Sequence, residues 1–342
     1  MHDLSKHEIN ESNAAILFAQ HAEAPAPERR QFSGKGIVIC AGVNYLESAY
    51  VVVRLLRHFG TALPIEIWHA GEDEIPPWAR PAFMEHDVTF CDIMKYCPAR
   101  PLKQMRGFPI KTAALLNTRF REVMLIDADC FPVCNLDFLF QSPEYKHYRA
   151  VFFPDSKRHL LLKDKHIWSL VGMPYTGDTE FETGLLLFDK VSCWKEINLA
   201  EWMNSGSAFW YQHVLGDKDT FYLAWRKCNR PYFLAPDCFR VKTVLTRHYW
   251  TGGRHLADHR TGTSKYALPY RKGPITSYLS PYKGRPAYKD LIDECLQRLV
   301  NSNYRLHTKF LCELNIYKTE YEKTLAIGET SIGVFGPARQ YR

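Results

Sequence analysis

The sequence contains no apolar run of about 18 residues, the length a membrane-crossing helix needs. Its opening stretch, MHDLSKHEINESNAAILFAQHAEAPAPERR, holds nothing with the apolar core of a signal peptide. The expectation is a cytoplasmic protein whose membrane contact is at most peripheral. No C-x-x-C pair occurs among the ten cysteines, and their spacings are irregular; Cys130 and Cys134, the closest two, flank an acidic motif. That usage reads as buried free thiols in a reducing compartment rather than a disulfide framework or a zinc site. No Lys/Arg run is dense enough to track a nucleic-acid backbone, so nucleic acid is not an expected partner. The net charge of +7, from 44 basic and 37 acidic residues, is mild. It suits an anionic ligand such as a nucleoside diphosphate, or an anionic membrane surface. No internal repeat is present.

Hydrophobic residues make up 46% of the 342, enough for a substantial core. The length fits one large α/β domain with an appendage. Residues 1–33 read as that appendage, with a Pro/Ala-rich linker at 22–30. From Gly34 to about residue 240, short β-rich runs alternate with helical spacing. Strands are predicted at Ile37–Cys40, Leu63–Trp68, Val88–Ile93, Val123–Ile126, Ala150–Phe153 and Gly184–Phe188. Helices are predicted at Leu46–Phe59, Lys111–Phe120 and Lys218–Lys227. This alternation implies an α/β domain with a mostly parallel central sheet covered on both faces. Residues 241–342 read as a C-terminal extension: a long loop rich in Arg, His, Gly, Pro and Tyr over 243–286, then an amphipathic helix over Ala287–Val300. The composition of 243–285 suits a lid over the site.

The informative segment is EVMLIDADCFP, residues 122–132. Four apolar residues build a buried strand, and Asp127 and Asp129 follow where it leaves the sheet. In open α/β sheets ligands bind beyond the carboxyl ends of strands. Two carboxylates there can share one hard divalent cation, Mn²⁺ or Mg²⁺, together with oxygens of a substrate diphosphate. The same spacing also describes a turn whose aspartates cap loop amides.

Taken together, GKGIVICAGVNYLESAYVVVRLLRHFGTALPIEIWHAG, GFPIKTAALLNTRFREVMLIDADCFPVCNLDFLF, FETGLLLFDK and GDKDTFYLAW resemble the fungal-type α-mannosyltransferase family over about residues 34–236. The first two blocks also resemble, more distantly, glycogenin-like retaining glycosyltransferases. The resemblance implies a GT-A fold, a D-x-D metal motif, a nucleotide-sugar donor (GDP- or UDP-sugar), a glycan or other acceptor, and retention of configuration. On it, Asp127 and Asp129 stand as metal ligands, and Lys111 faces the donor phosphates. The turn Ala41-Gly42-Val43-Asn44-Tyr45 receives the donor, with Asn44 and Tyr45 at the base. Glu182-Thr183-Gly184 lines the sugar or acceptor side, and Asp217 and Asp219 begin a helix beside the site.

Each residue also has a plainer reading. Lys111 can be a solvated helix-start lysine, and Asn44 and Tyr45 can simply close a turn. Glu182, placed at the start of a strand, can be a rim residue or a carboxylate serving the sugar's β-face. Asp217 can be an N-cap, and Asp219 can answer the helix dipole. Trp194, Trp202, Trp210 and Trp225 suit a core better than a sugar platform. A third metal ligand is sought among His248, His255 and His259. His259 is favoured, because the neighbouring Asp258 can orient it. The function expected is metal-dependent glycosyl transfer. The rivals are a nucleotide-sugar pyrophosphorylase or phosphohydrolase and a non-catalytic nucleotide-sugar-binding protein. Pyrophosphorylase chemistry wants a Gly-rich basic loop after the first strand, and AGVNY supplies neither feature.

Overall fold

Four of the predicted apolar runs form the parallel half of a central sheet: β1 (Lys35–Cys40), β2 (Ile65–His69), β3 (Val88–Asp92) and β4 (Glu122–Ile126). They are ordered β3-β2-β1-β4. The computed structural model describes residues 8–25, 31–43, 45–77, 79–155, 165–241 and 245–259. All lie in one compact unit, Met1–Thr261. Asn44, the predicted helix Ala287–Val300 and the stretch from residue 260 onward lie outside the described residues.

The helices of this unit are α1 (Ala14–Glu23), α2 (Leu46–His58), α3 (Ala79–Met84), α4 (Leu102–Met105), α5 (Ile110–Asn117), α6 (Pro143–Tyr148), α7 (Ile167–Leu170), α8 (Trp194–Ser205), α9 (Ser207–Trp210) and α10 (Asp217–Lys227). The remaining strands are β5 (Cys130–Pro132), β6 (Ala150–Pro154), β7 (Phe181–Asp189), β8 (Phe233–Leu234), β9 (Asp237–Val241), β10 (Leu245–Trp250) and β11 (Arg254–His259). Beyond β4 the central sheet continues with β7, β6 and β8. Only the β4–β7 and β6–β7 pairs are antiparallel. The predicted α/β class with a mostly parallel central sheet is therefore what the structure has, with the two antiparallel pairs making the sheet mixed.

Both faces of the sheet are apolar, as a helix-covered sheet requires. Val38, Val123, Leu125, Phe152, Leu186 and Phe188 join a buried cluster with residues of α1, α5, α8 and α10. The alternate residues Ile37, Ile39, Met124, Leu185 and Leu187 are equally buried and, by the period of two, face the other way. Trp210 and Trp225 are fully buried in the first of these layers, which agrees with the core reading of the tryptophans.

Two segments differ from the sequence reading. Part of the N-terminal appendage is helix α1, whose Ala14, Leu17, Phe18 and Ala22 are buried. Residues 245–259, read as loop, are a β-hairpin, β10–β11, in a second sheet of order β5-β11-β10-β9. The high Arg/His/Tyr content masked an alternating pattern in Leu245–Trp250, with Gly252-Gly253 as the turn. No helix among the described residues is long and apolar enough to cross a membrane.

Candidate active site

Strand direction assembles the site. Strands β1, β4 and β6 run parallel, so their carboxyl ends share one edge of the sheet. The antiparallel β7 brings its start to the same edge, and Ile126 pairs with Leu185. The chain beyond β4 is tied there by the Asp127 amide, which donates to the Gly184 carbonyl at 2.9 Å. Next, β5 turns into the second sheet and pairs with β11, with His259 opposite Cys130. That register sets His259 beside the D-x-D turn. The middle residue of the turn is also held, since the buried Ser48 hydroxyl of α2 donates to the Ala128 carbonyl at 2.6 Å. Nothing in the sequence marks Ser48 for this task.

Asp127, Asp129 and His259 each offer one ligand atom, and these atoms lie within 4.8 Å of one another. His259 Nε2 is 3.3 Å from Asp129 and 3.7 Å from Asp127. On the other side of Asp127 stands Lys111, in the first turn of α5, with Nζ 2.7 Å from Asp127 and 3.3 Å from Asp217. The Thr183 hydroxyl donates to Asp217 at 3.2 Å. Burial lifts the Asp127 carboxyl to about 6 against the pull of Lys111 and His259. Burial works against the charge on Lys111 too, but Asp127 and Asp217 outweigh it and hold the ammonium well above its usual range.

Asp217 is not an N-cap. It is the first residue of α10, and its carboxylate is directed at Lys111 and Thr183. Asp219 does behave as a helix-start carboxylate, accepting from the Leu215 amide at 2.8 Å and lying 3.3 Å from Lys218. Tyr45 is partly exposed at the head of α2. Burial, then the charges of Asp129 and Asp127, raise its phenol. Ala41 is buried at the end of β1. Gly42 backs on to the Glu74 carboxylate, so a Cβ there would displace the end of that side chain.

Glu182 lies within β7 rather than ahead of it, behind His259 and buried. It accepts from the Gly184 amide at 2.9 Å, from His259 Nδ1 at 2.7 Å and from His248 Nε2. Burial alone raises a carboxyl; here the two imidazoles outweigh it and hold Glu182 well below the carboxylate range. His259 is shifted upward, since Glu182 and Asp129 overcome the opposing effect of burial. Asp258 does not orient His259. Alternation along β11 sends it to the opposite face, where it lies 2.8 Å from His255 and 3.3 Å from Arg247. His255 is thereby removed from the metal question.

With this geometry in place, three comparisons bear on the chain. The family model described as "Mannosyltransferase putative" matches residues 34–169. Alpha-1,2-mannosyltransferase MNN5 of Saccharomyces cerevisiae is 26% identical over 273 residues, covering 60% of this chain and 46% of the relative. Alpha-1,2-mannosyltransferase MNN24 of Candida albicans is 24% identical over 333 residues, covering 80% and 44%. The chain is similar to the mannosyltransferases. It spans about half the length of the curated relatives it matches. Among solved structures, the mannosyltransferase Ktr4p of Saccharomyces cerevisiae superposes with a TM-score of 0.38 at 13% identity, covering 64% of this chain and 76% of that one.

Proposed function

We propose that the chain is a metal-dependent glycosyltransferase that moves a hexose, mannose foremost, from a nucleoside-diphosphate sugar to a glycan or other hydroxyl acceptor. One observation carries the reading: Asp127, Asp129 and His259 converge at the carboxyl edge of the sheet with Lys111 alongside. Two carboxylates and one imidazole suit Mn²⁺ or Mg²⁺ and leave positions for diphosphate oxygens. When bound, the ion supplies charge neutralisation for a departing diphosphate.

The chain's own residues supply the rest. Lys111 offers a fixed positive charge at the same edge, and Asp127 and Asp217 keep it aimed without letting it swing into solvent. Thr183 fixes Asp217 in turn. The turn from Ala41 to Tyr45 receives the nucleoside, with Tyr45 offering a ring for stacking. The similarity to α-1,2-mannosyltransferases supports mannose as the first sugar to test, and retention of configuration rests on the family resemblance. A panel of GDP- and UDP-sugars, each with Mn²⁺ and a mannoside acceptor, tests the reading. Transfer from one donor is expected, lost in Asp127→Asn and Asp129→Asn and after exhaustive chelation. Full activity in either variant, or in the chelated wild type, overturns it.

A further inference from the structure

Behind the proposed metal ligands lies a layer that glycosyl transfer itself does not call upon. The hairpin β10–β11 presents His248 and His259 on one face, with rings 6.1 Å apart and nearly parallel at 17°. Glu182 of β7 sits against both, taking His259 Nδ1 with one oxygen and His248 Nε2 with the other. The Gly184 amide completes the carboxylate's partners. Gly184 is required here, because a Cβ at that position runs into the His259 ring. His248 is sealed from the crevice: it is fully buried, Nδ1 faces the Cys130 sulfur at 3.8 Å, and the Phe153 ring meets it edge-on at 4.9 Å.

The two rings therefore differ in what they can do. His259 has one nitrogen on Glu182 and the other on the Asp127–Asp129 side. Both ring nitrogens of His248 meet protein atoms, Nε2 the Glu182 carboxylate and Nδ1 the Cys130 sulfur, although Glu182, His248 and His259 also bring one ligand atom each within 4.8 Å of one another. An imidazole binds a metal through a nitrogen that carries no proton, and which nitrogen that is depends on what the other one donates to. A carboxylate accepting from Nδ1–H leaves the Nε2 lone pair for the ion and makes the ring a better donor. Glu182 stands where that task requires it, and His248 stands where it stops Glu182 from turning away.

We propose that Glu182 and His248 are positioning residues for the metal site: Glu182 fixes the orientation and tautomer of His259, and His248 fixes Glu182. The proposal rests on the Asp127–Asp129–His259 reading and gives Glu182 a place behind the metal ligand instead of beside the sugar. A merely structural network satisfies the same hydrogen bonds but leaves metal affinity alone.

Mn²⁺ alone, titrated into the metal-free 342-residue chain, separates the two. Affinity comes from calorimetry, and pulsed electron paramagnetic resonance detects the imidazole nitrogen on the bound ion. Glu182→Gln is expected to weaken Mn²⁺ binding about 10–100-fold and to diminish the nitrogen signal. His248→Ala should follow it, whereas His248→Gln, which keeps an N–H donor for Glu182, should recover part of the loss. Should Glu182→Gln lose cooperative unfolding, the contrast between His248→Ala and His248→Gln carries the test. Wild-type affinity and nitrogen signal in Glu182→Gln and His248→Ala, with binding still lost in Asp129→Asn, overturns the positioning proposal and leaves the metal reading standing. Wild-type binding in Asp129→Asn and His259→Ala overturns the metal reading and the proposal with it. A second imidazole nitrogen on the ion in the wild type, absent in His248→Ala, makes His248 a ligand and also overturns the proposal.

Discussion

At the scale of single residues, Lys111 shows how burial turns an ordinary side chain into a committed one. It is buried between Asp127 and Asp217, so deleting its charge leaves two carboxylates facing each other out of water. Removing one partner of a buried pair costs about 3–5 kcal/mol. Lys111→Met should approach that loss in urea denaturation, and adding Asp217→Asn should restore about 1–3 kcal/mol of it through their coupling. Strictly additive losses would show that the two groups act independently. Glu201 gives a second test. Burial raises its carboxyl to about 7 despite Arg100 and Thr112. The folded chain thus keeps a proton that the unfolded chain releases near pH 4.5. Stability from this group is present below about pH 4.5 and is lost as pH rises through about 7, by roughly 3 kcal/mol at most. Denaturation at pH 5 and pH 8 should show a decline in the wild type that Glu201→Gln flattens; an unchanged slope contradicts it. In the sequence, Asp127, Asp129 and Lys111 are visible because a greasy strand and its preceding helix point at them. The neighbour that orients His259 is not visible, because Glu182 is 77 positions away and only strand pairing brings it near.

At the scale of elements, strands and helices with clean periodicity are legible, and those whose pattern is diluted are not. Leu46–His58 is helical where its apolar spacing says so. The hairpin β10–β11 is obscured by Arg247, His248, Tyr249, Arg254 and His255, whose polarity resembles a loop while their backbones pair. Helix α1 is obscured by its position ahead of a Pro/Ala stretch. Its apolar side packs on α8 and α9: the Phe18 ring lies 6.3 Å from Trp202 and 6.0 Å from Trp210, and His21 stacks on Trp202 at 4.2 Å. Phe18 is fully buried, so Phe18→Ala should destabilise the unit by about 3–5 kcal/mol. A change below about 0.5 kcal/mol, the range of ordinary surface substitutions, would mean that α1 is peripheral to the unit after all.

At the scale of the whole molecule, the site is a consequence of topology more than of any one motif. Its residues come from positions as far apart as Tyr45 and His259, carried by α2, α5, the β4–β5 turn, β7, α10 and β11. A ligand that bridges these elements binds the folded unit and not the unfolded chain, where they are scattered. Ligand present at 100 times its Kd therefore adds about 2.7 kcal/mol to stability. For a unit of this size each kcal/mol moves Tm by about 2–4 °C, giving a rise of roughly 5–11 °C. On the proposed reading the carboxylates and imidazole hold the metal side of the ligand while Lys111 and the Ala41–Tyr45 turn hold the nucleotide side. Each component completes the other's binding site, since Asp127 and Asp129 repel a bare diphosphate. Nucleoside diphosphate with Mn²⁺ should then raise Tm by more than the sum of the two separate shifts. Asp129→Asn should reduce the combined shift to that sum. Thermal melts of the 342-residue chain with each component, with both, and with neither measure this directly. Additive shifts in the wild type would separate the metal from the nucleotide and dismantle the shared site.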